Sequence, residues 1–295
     1  MSDRAKGVLA VLFTYMFWGA MPIYWKAAAA ASPAEILGHR AVWSCAFAFA
    51  LLALTRGMKT VASLFRDNRS SLPTLALASA ALTANWYLYI WAVNNGRILE
   101  TSLGYFICPL ISILFGVVVF RERLWPFQVL AVGIAACGVG VEVAVLGSLP
   151  LVALGIALSF ACYGLLKKMV RVDALSGFAL ETLFIVPFAL AWLAWLQKTG
   201  AAHYPYGTAL NVLLAGAGVL TALPLLTFAW GLKRTPMTLV GLSQYASPGL
   251  SFLTATLLYH EPMPSARVVS FSLIWTAILL FTAESFLRAK RRPAE

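Results

Sequence analysis

Glu35, His39 and Arg40 fall within "EILGHRAVW", a segment otherwise suited to the apolar interior of a bilayer. An arginine at mid-bilayer costs about 2.5–3.5 kcal/mol on insertion scales, so it needs either a partner or a task. Glu35 and His39 are four apart and share a helical face. Arg40 is turned about 100° from His39. Two readings stand for Arg40. It snorkels outward and pairs with Glu35 or a loop carboxylate, or it serves as an extracellular-side gate or substrate counter-charge. Glu181, in "GFALETLFIVP", is a second intramembrane charge, and Pro187 follows it. Glu181 and His39 are the proton-coupling candidates; the rival for Glu181 is an ion pair with Arg40 or Lys167.

The stretch "NWYLYIWAVNNGRILETSLGYFICP", Asn85 to Pro109, adds amides and a proline to aromatic bulk. Asn85 suits either a hydrogen bond between helices or the wall of a polar cavity, with Trp86, Tyr89 and Trp91 as stacking surface. Asn94 and Asn95 suit a helix C-terminus. Tyr105 and Gln244 each stand one turn before a proline, Pro109 and Pro248. Proline removes a helix hydrogen bond and bends the helix, and the freed carbonyl is tolerated in a membrane only when buried in protein or facing water. With Trp18, Tyr24 and Tyr245, these residues make a candidate substrate-binding set: Trp18, Tyr24, Arg40, Asn85, Trp86, Tyr105, Gln244 and Tyr245. HExxH, P-loop and GxSxG motifs do not occur, and Cys45, Cys108, Cys137 and Cys162 lie singly in apolar runs. Neither a metal nor a cofactor is expected.

The elements that position these residues follow from composition. The chain is 61% hydrophobic and 11% charged, against roughly 45–50% and 25% in soluble domains, so an integral membrane protein is expected. A bilayer core takes roughly 20 apolar residues per helix. Ten such runs can be marked, near 7–26, 34–55, 73–93, 101–120, 126–146, 149–166, 174–196, 208–231, 237–258 and 266–287. Short connections predict antiparallel neighbours. The first run, at Gly7–Trp25, is too long for a signal h-region and is read as an uncleaved span.

Charge placement gives orientation. With the N-terminus inside, 17 of the 22 Lys and Arg residues fall on the cytoplasmic side, among them Arg4, Lys6, Arg121, Arg123, Lys167, Lys168, Lys233 and Arg234. Arg56, Arg66 and Arg292 join them, while Lys26, Arg97, Lys198 and Arg267 fall outside. Both termini are therefore expected in the cytoplasm. The net charge of +11 then reflects this bias, and no nucleic acid partner is expected.

The halves resemble each other. "LGYFICPLISILFGVVVFRERL" from Leu103 and "LSQYASPGLSFLTATLLYHEPM" from Leu242 align at an offset of 139, pairing Pro109 with Pro248, Ser112 with Ser251 and Glu122 with Glu261. His260 and Pro262 flank the second glutamate where arginines flank the first; His203 also falls in an outer loop. An odd number of spans per copy inserts the second copy upside down, a common transporter design. The expected fold is an all-α polytopic membrane protein of ten transmembrane helices in two inverted five-helix repeats, residues 1–147 and 148–295. "GIAACGVG", Gly133 to Gly140, reads as close helix packing; a homodimer is compatible with it but not required.

The segments "FWGAMPIYWK", "EILGHRAVWS", "NWYLYIWAVNNGRILETSLGYFICPL", "FRERL", "GVLTALPLLTF" and "LVGLSQYASP" resemble, in order and over nearly the whole chain, the bacterial RarD proteins. These are EamA-type members of the drug/metabolite transporter superfamily, labelled "chloramphenicol-sensitive protein". The resemblance implies ten helices in inverted repeats, a bacterial inner-membrane location and permease activity on a small molecule. One departure stands out: "ICPL" places Cys108 where the family usually has asparagine. The resulting expectation is a secondary active or facilitated exporter of a small organic solute, working by alternating access around a cavity lined by spans 1–4 and 6–9, with the lipid bilayer as its other partner. A membrane-embedded enzyme acting on a lipid or isoprenoid is the rival reading, and an ion channel is disfavoured by sparse charge and bulky aromatics.

Overall fold

A computed structural model describes residues 2–55, 57, 59–62, 69–95, 97–147, 150–202, 207–253, 257 and 265–291. The expectations placed on Arg56, Arg66, His203, His260, Glu261, Pro262 and Arg292 lie outside these residues. So do those on the side chains of Pro22, Asn94, Ser251, Arg267, Arg288, Lys290 and Arg291.

The described residues form helices and no strand. They are α1 (Asp3–Ala27), α2 (Pro33–Leu54), α3 (Leu72–Asn94), α4 (Ile98–Val118), α5 (Pro126–Leu146), α6 (Leu151–Met169), α7 (Ala174–Lys198), α8 (Thr208–Leu232), α9 (Met237–Gln244), α10 (Ala246–Leu253) and α11 (Ser265–Arg291). Seven of them, α1, α2 and α4 to α8, are long and apolar enough to cross a bilayer. Their outward faces carry large bare side chains: Phe188 is 72% exposed, Leu151 66% and Val118 65%. Continuous apolar surface of that kind needs lipid rather than water.

Helix ends are set by local chemistry. Ser32 and Glu35 form a reciprocal capping box at the start of α2, with Pro33 as its first residue. The Asp173 carboxylate accepts the Ser176 N–H at the start of α7, 2.9 Å away. Gly147, at φ 67°, ends α5 in the left-handed conformation that glycine adopts without penalty. The ninth run is not one helix. Pro248 has no N–H for the Gln244 carbonyl, and the helix breaks at Tyr245 between α9 and α10. By contrast α4 runs unbroken through Pro109.

Packing departs from the expectation of hairpin neighbours. Each early helix packs chiefly on later ones: α1 on α8 and α10, α2 on α7 and α8, α3 on α6, α4 on α6 and α9, α5 on α11. Small residues make this interleaving possible. A Cβ built at Gly241 would lie 2.7 Å from the Pro109 carbonyl oxygen, one at Gly104 3.1 Å from that of Ala153, and one at Gly19 2.8 Å from that of Ser247. In lipid no hydrophobic force separates helix from solvent, so association favours surfaces whose backbones can approach. Short connections therefore fix which helices follow each other, while glycine fixes which ones touch.

Candidate substrate-binding site

Arg40 is the centre of an intramembrane group that gathers residues from four other helices. Its Nε donates to the Thr221 hydroxyl of α8 at 3.1 Å. Its guanidinium carbon lies over the rings of Trp25 (4.9 Å, α1) and Trp86 (5.1 Å, α3). Tyr89 of α3 and Tyr105 of α4 are its electrostatic neighbours, and their rings are 6.2 Å apart. Cation–π contacts reach about 2 kcal/mol when desolvated, so two indoles offset much of the cost of placing this charge in the membrane. Arg40 forms no ion pair with a carboxylate among the described residues; Glu35, the partner expected for it, is held in its capping box.

Tyr105 is 43% exposed and Tyr89 36% exposed. Those surfaces adjoin a guanidinium, and Tyr89 shares its helical face with Trp86, so together they form one aromatic wall around Arg40. From Tyr105 a stripe continues along α4 through Cys108 and Pro109 to Ser112, about 10 Å further at 1.5 Å per residue. There the Gln244 amide donates to the Ser112 hydroxyl at 2.9 Å. Beside it the Tyr15 hydroxyl and the Gln244 side chain are buried together as a loosely matched polar pair. That pair and the Gln244–Ser112 hydrogen bond give the foot of the stripe its polar character.

The other expected residues lie elsewhere. Asn85 donates to the Ile156 carbonyl at 2.9 Å and the Ser159 hydroxyl at 3.3 Å, tying α3 to α6 instead of lining the pocket. Tyr24 is anchored on the Leu213 carbonyl of α8. Tyr245 is 2% exposed and bonds the Phe106 carbonyl at 3.3 Å. Trp18 joins an aromatic cluster with Tyr15, Phe160 and Phe228, at 5.3, 5.5 and 6.0 Å. Asn95 caps α3 by donating to the Trp91 carbonyl at 2.8 Å.

Glu181 is ion-paired with Lys167 at 2.8 Å, with side chains 0% and 2% exposed. The Tyr163 hydroxyl reaches the second carboxylate oxygen at 3.3 Å. The structure thus realises the ion-pair reading, with Lys167 as partner. His39 and Glu35 instead line a cavity of about 390 Å³ with Leu193, Gln197 and Ala202. Leu193 is twelve residues along α7 from Glu181, or about 18 Å, so the two proton-coupling candidates are not in contact. Sequence reasoning gave Trp25 and Thr221 no role at the site. Trp25 was legible as bulk at the end of the first run, but nothing in the chain marks Thr221 as the neighbour of a residue 181 positions earlier.

On the opposite side from the Arg40 pocket, the connections are tied down by charge. The Glu122 carboxylate accepts the N–H groups of Met237 and Thr238 at 2.6 and 2.8 Å, capping α9 from the α4–α5 connection. Lys168 donates to the Leu232 and Thr235 carbonyls, and Lys233 to that of Val172.

The EamA-like transporter family model matches the chain twice, over residues 5–143 and 148–283. The chain belongs to the EamA-like transporter family. An "Uncharacterized transporter" of Vibrio cholerae is 42% identical over 284 residues, covering 96% of this chain and 93% of that protein. "Protein RarD" of Salmonella typhi is 40% identical over 288 residues, covering 97% and 98%. A solved crystal structure only 21% identical superposes with a TM-score of 0.71 over 94% of this chain and 97% of that one, which makes the fold common to both. An EamA-like protein with several apolar spans is a multi-pass membrane transporter, and its relatives are transporters rather than enzymes.

Proposed function

We propose that this EamA-like protein is a secondary transporter, active or facilitated, that exports a small organic solute across a bacterial inner membrane by alternating access. The observation that carries the reading is the Arg40 pocket. It is a charge without a carboxylate partner among the described residues, walled by Trp25, Trp86, Tyr89 and Tyr105, in a chain whose relatives are transporters.

The framework of the reading is ten spans, with α9 and α10 as the ninth, in two inverted repeats at 1–147 and 148–295, both termini in the cytoplasm. Three observations support it. The family model matches once in each half. The contacts recur when helices are exchanged five spans apart: α4 on α6 answers the broken ninth span on α1, α3 on α6 answers α8 on α1, and α2 on α8 answers α7 on α3. The Lys- and Arg-rich connections gather at one end. Rocking of one set of helices against the other would make and break the Glu122, Lys168 and Lys233 ties and expose the stripe from Tyr105 to Gln244 alternately to each side.

The test is topological. Single cysteines at Thr60 and Gly200, on a background lacking Cys45, Cys108, Cys137 and Cys162, are labelled in intact cells with an impermeant maleimide. Labelling at Gly200 alone is expected. Labelling of both from one side ends the inverted-repeat reading, whatever the cargo.

A further inference from the structure

The Arg40 pocket specifies the charge of what it binds. We propose that the cargo is a monocarboxylate with a flat apolar body, taken in preference to an amine or an uncharged analogue of the same shape. This rests on the reading of that pocket as the substrate site.

Three observations carry it. A guanidinium has five N–H donors. In Arg40 the Nε–H is committed to Thr221, while the four on the two terminal nitrogens have no partner in the described protein. Those donors form the planar fork that receives a carboxylate through two parallel hydrogen bonds.

The second observation is that, among the described residues, neither an acid nor a second cation is an electrostatic neighbour of Arg40. Arg40's electrostatic neighbours are the phenols of Tyr89 and Tyr105. Of the described acids on this side, Glu35 bonds Ser32, and Glu100 bonds Arg97 at 3.3 Å and the Val152 N–H at 3.3 Å; Glu142 on α5 keeps one buried oxygen unpartnered but is not among the electrostatic neighbours of Arg40. An ammonium entering the pocket would meet a cation and, among the described residues, no counter-ion beside it. A dianion would leave one charge uncompensated in a low-dielectric setting. A single negative charge is what the pocket balances.

The third is the wall. Tyr105 and Tyr89 present ring surface, 43% and 36% exposed, beside two indoles. Rings at this spacing suit a planar body, which gains offset or edge-on contacts.

The experiment uses three probes that share one ring: phenylacetate, phenylacetamide and phenethylamine. Binding to the purified full-length protein is measured by titration calorimetry at neutral pH, and phenylacetate counterflow is followed in proteoliposomes. Phenylacetate is expected to bind about tenfold or more tightly than either analogue, as a charge-assisted bidentate pair requires. Arg40→Gln is expected to remove that preference, and Arg40→Lys to retain part of it. The wild-type ranking needs no variant, so a misfolded Arg40→Gln protein does not protect the idea. Equal or tighter binding of the amide or amine overturns the carboxylate assignment and leaves the transporter reading intact. So does a folded Arg40→Gln protein that keeps full phenylacetate counterflow. Binding of none of the three also overturns it, while the labelling of Thr60 and Gly200 still decides the framework.

Discussion

Lys167 and Glu181 offer the sharpest perturbation in the molecule, because the same pair admits two opposed roles. The ion pair is dry: 2.8 Å between the charged atoms, 2% and 0% exposure, and Tyr163 on the remaining oxygen. Removing one member of such a pair strands the other charge and costs about 3–5 kcal/mol. Lys167→Met or Glu181→Gln alone should therefore lower the melting temperature in detergent by about 10 °C, taking roughly 2–4 °C per kcal/mol. The double variant Lys167→Met/Glu181→Gln strands nothing. It should recover most of the loss, because a buried pair exchanged for uncharged groups is often neutral in stability. The coupling energy from the cycle is then about 5 kcal/mol or more in magnitude. Transport should follow stability: impaired in each single variant, restored in the double, with its dependence on a proton gradient unchanged. If the double variant is well folded yet loses pH-driven transport, Glu181 moves protons and the brace reading fails. A double variant as unstable as the singles would equally refute the reasoning, since the loss would then come from packing around Tyr163.

Three further outcomes follow from the contacts. Glu122→Gln keeps one acceptor but loses the charge at the α9 N-terminus, so stability should fall by about 1–2 kcal/mol, read as a lower melting temperature. Gly241→Val sets a Cβ 2.7 Å from the Pro109 carbonyl oxygen, and the overpacking should cost about 1–3 kcal/mol or prevent folding; Gly133→Val, with open space at its Cβ position, is the matched control and should be close to neutral. Asn85→Leu removes a hydrogen bond between helices worth about 1 kcal/mol, and phenylacetate binding should be unchanged because Asn85 faces Ile156 and Ser159 rather than the pocket.

The chain alone determined that this is a polytopic membrane protein, and it placed most helix ends to within a few residues. Both are local properties. Twenty apolar residues, a Ser-Pro start or a terminal glycine act over one helix and need no partner. The run marked at 126–146 coincides with α5, Pro126–Leu146. The break in the ninth apolar run was half legible, since Pro248 announced a bend but not the break at Tyr245. The cost of Arg40 and Glu181 in a membrane was also legible, and it rightly singled them out.

Their partners were not. Glu181 had two possible cations, and only the packing of α6 on its neighbours gave it Lys167. Asn85, Tyr24 and Tyr245 have the composition of a binding site, yet each points at a backbone carbonyl of another helix. Arg40 takes its partners from α1, α3, α4 and α8, and the face each helix presents depends on contacts such as Gly241 against Pro109. A helix read by itself shows which residues lie on one side. Which side meets the pocket is decided only when all the helices compete for the same few close approaches, and that competition is tertiary.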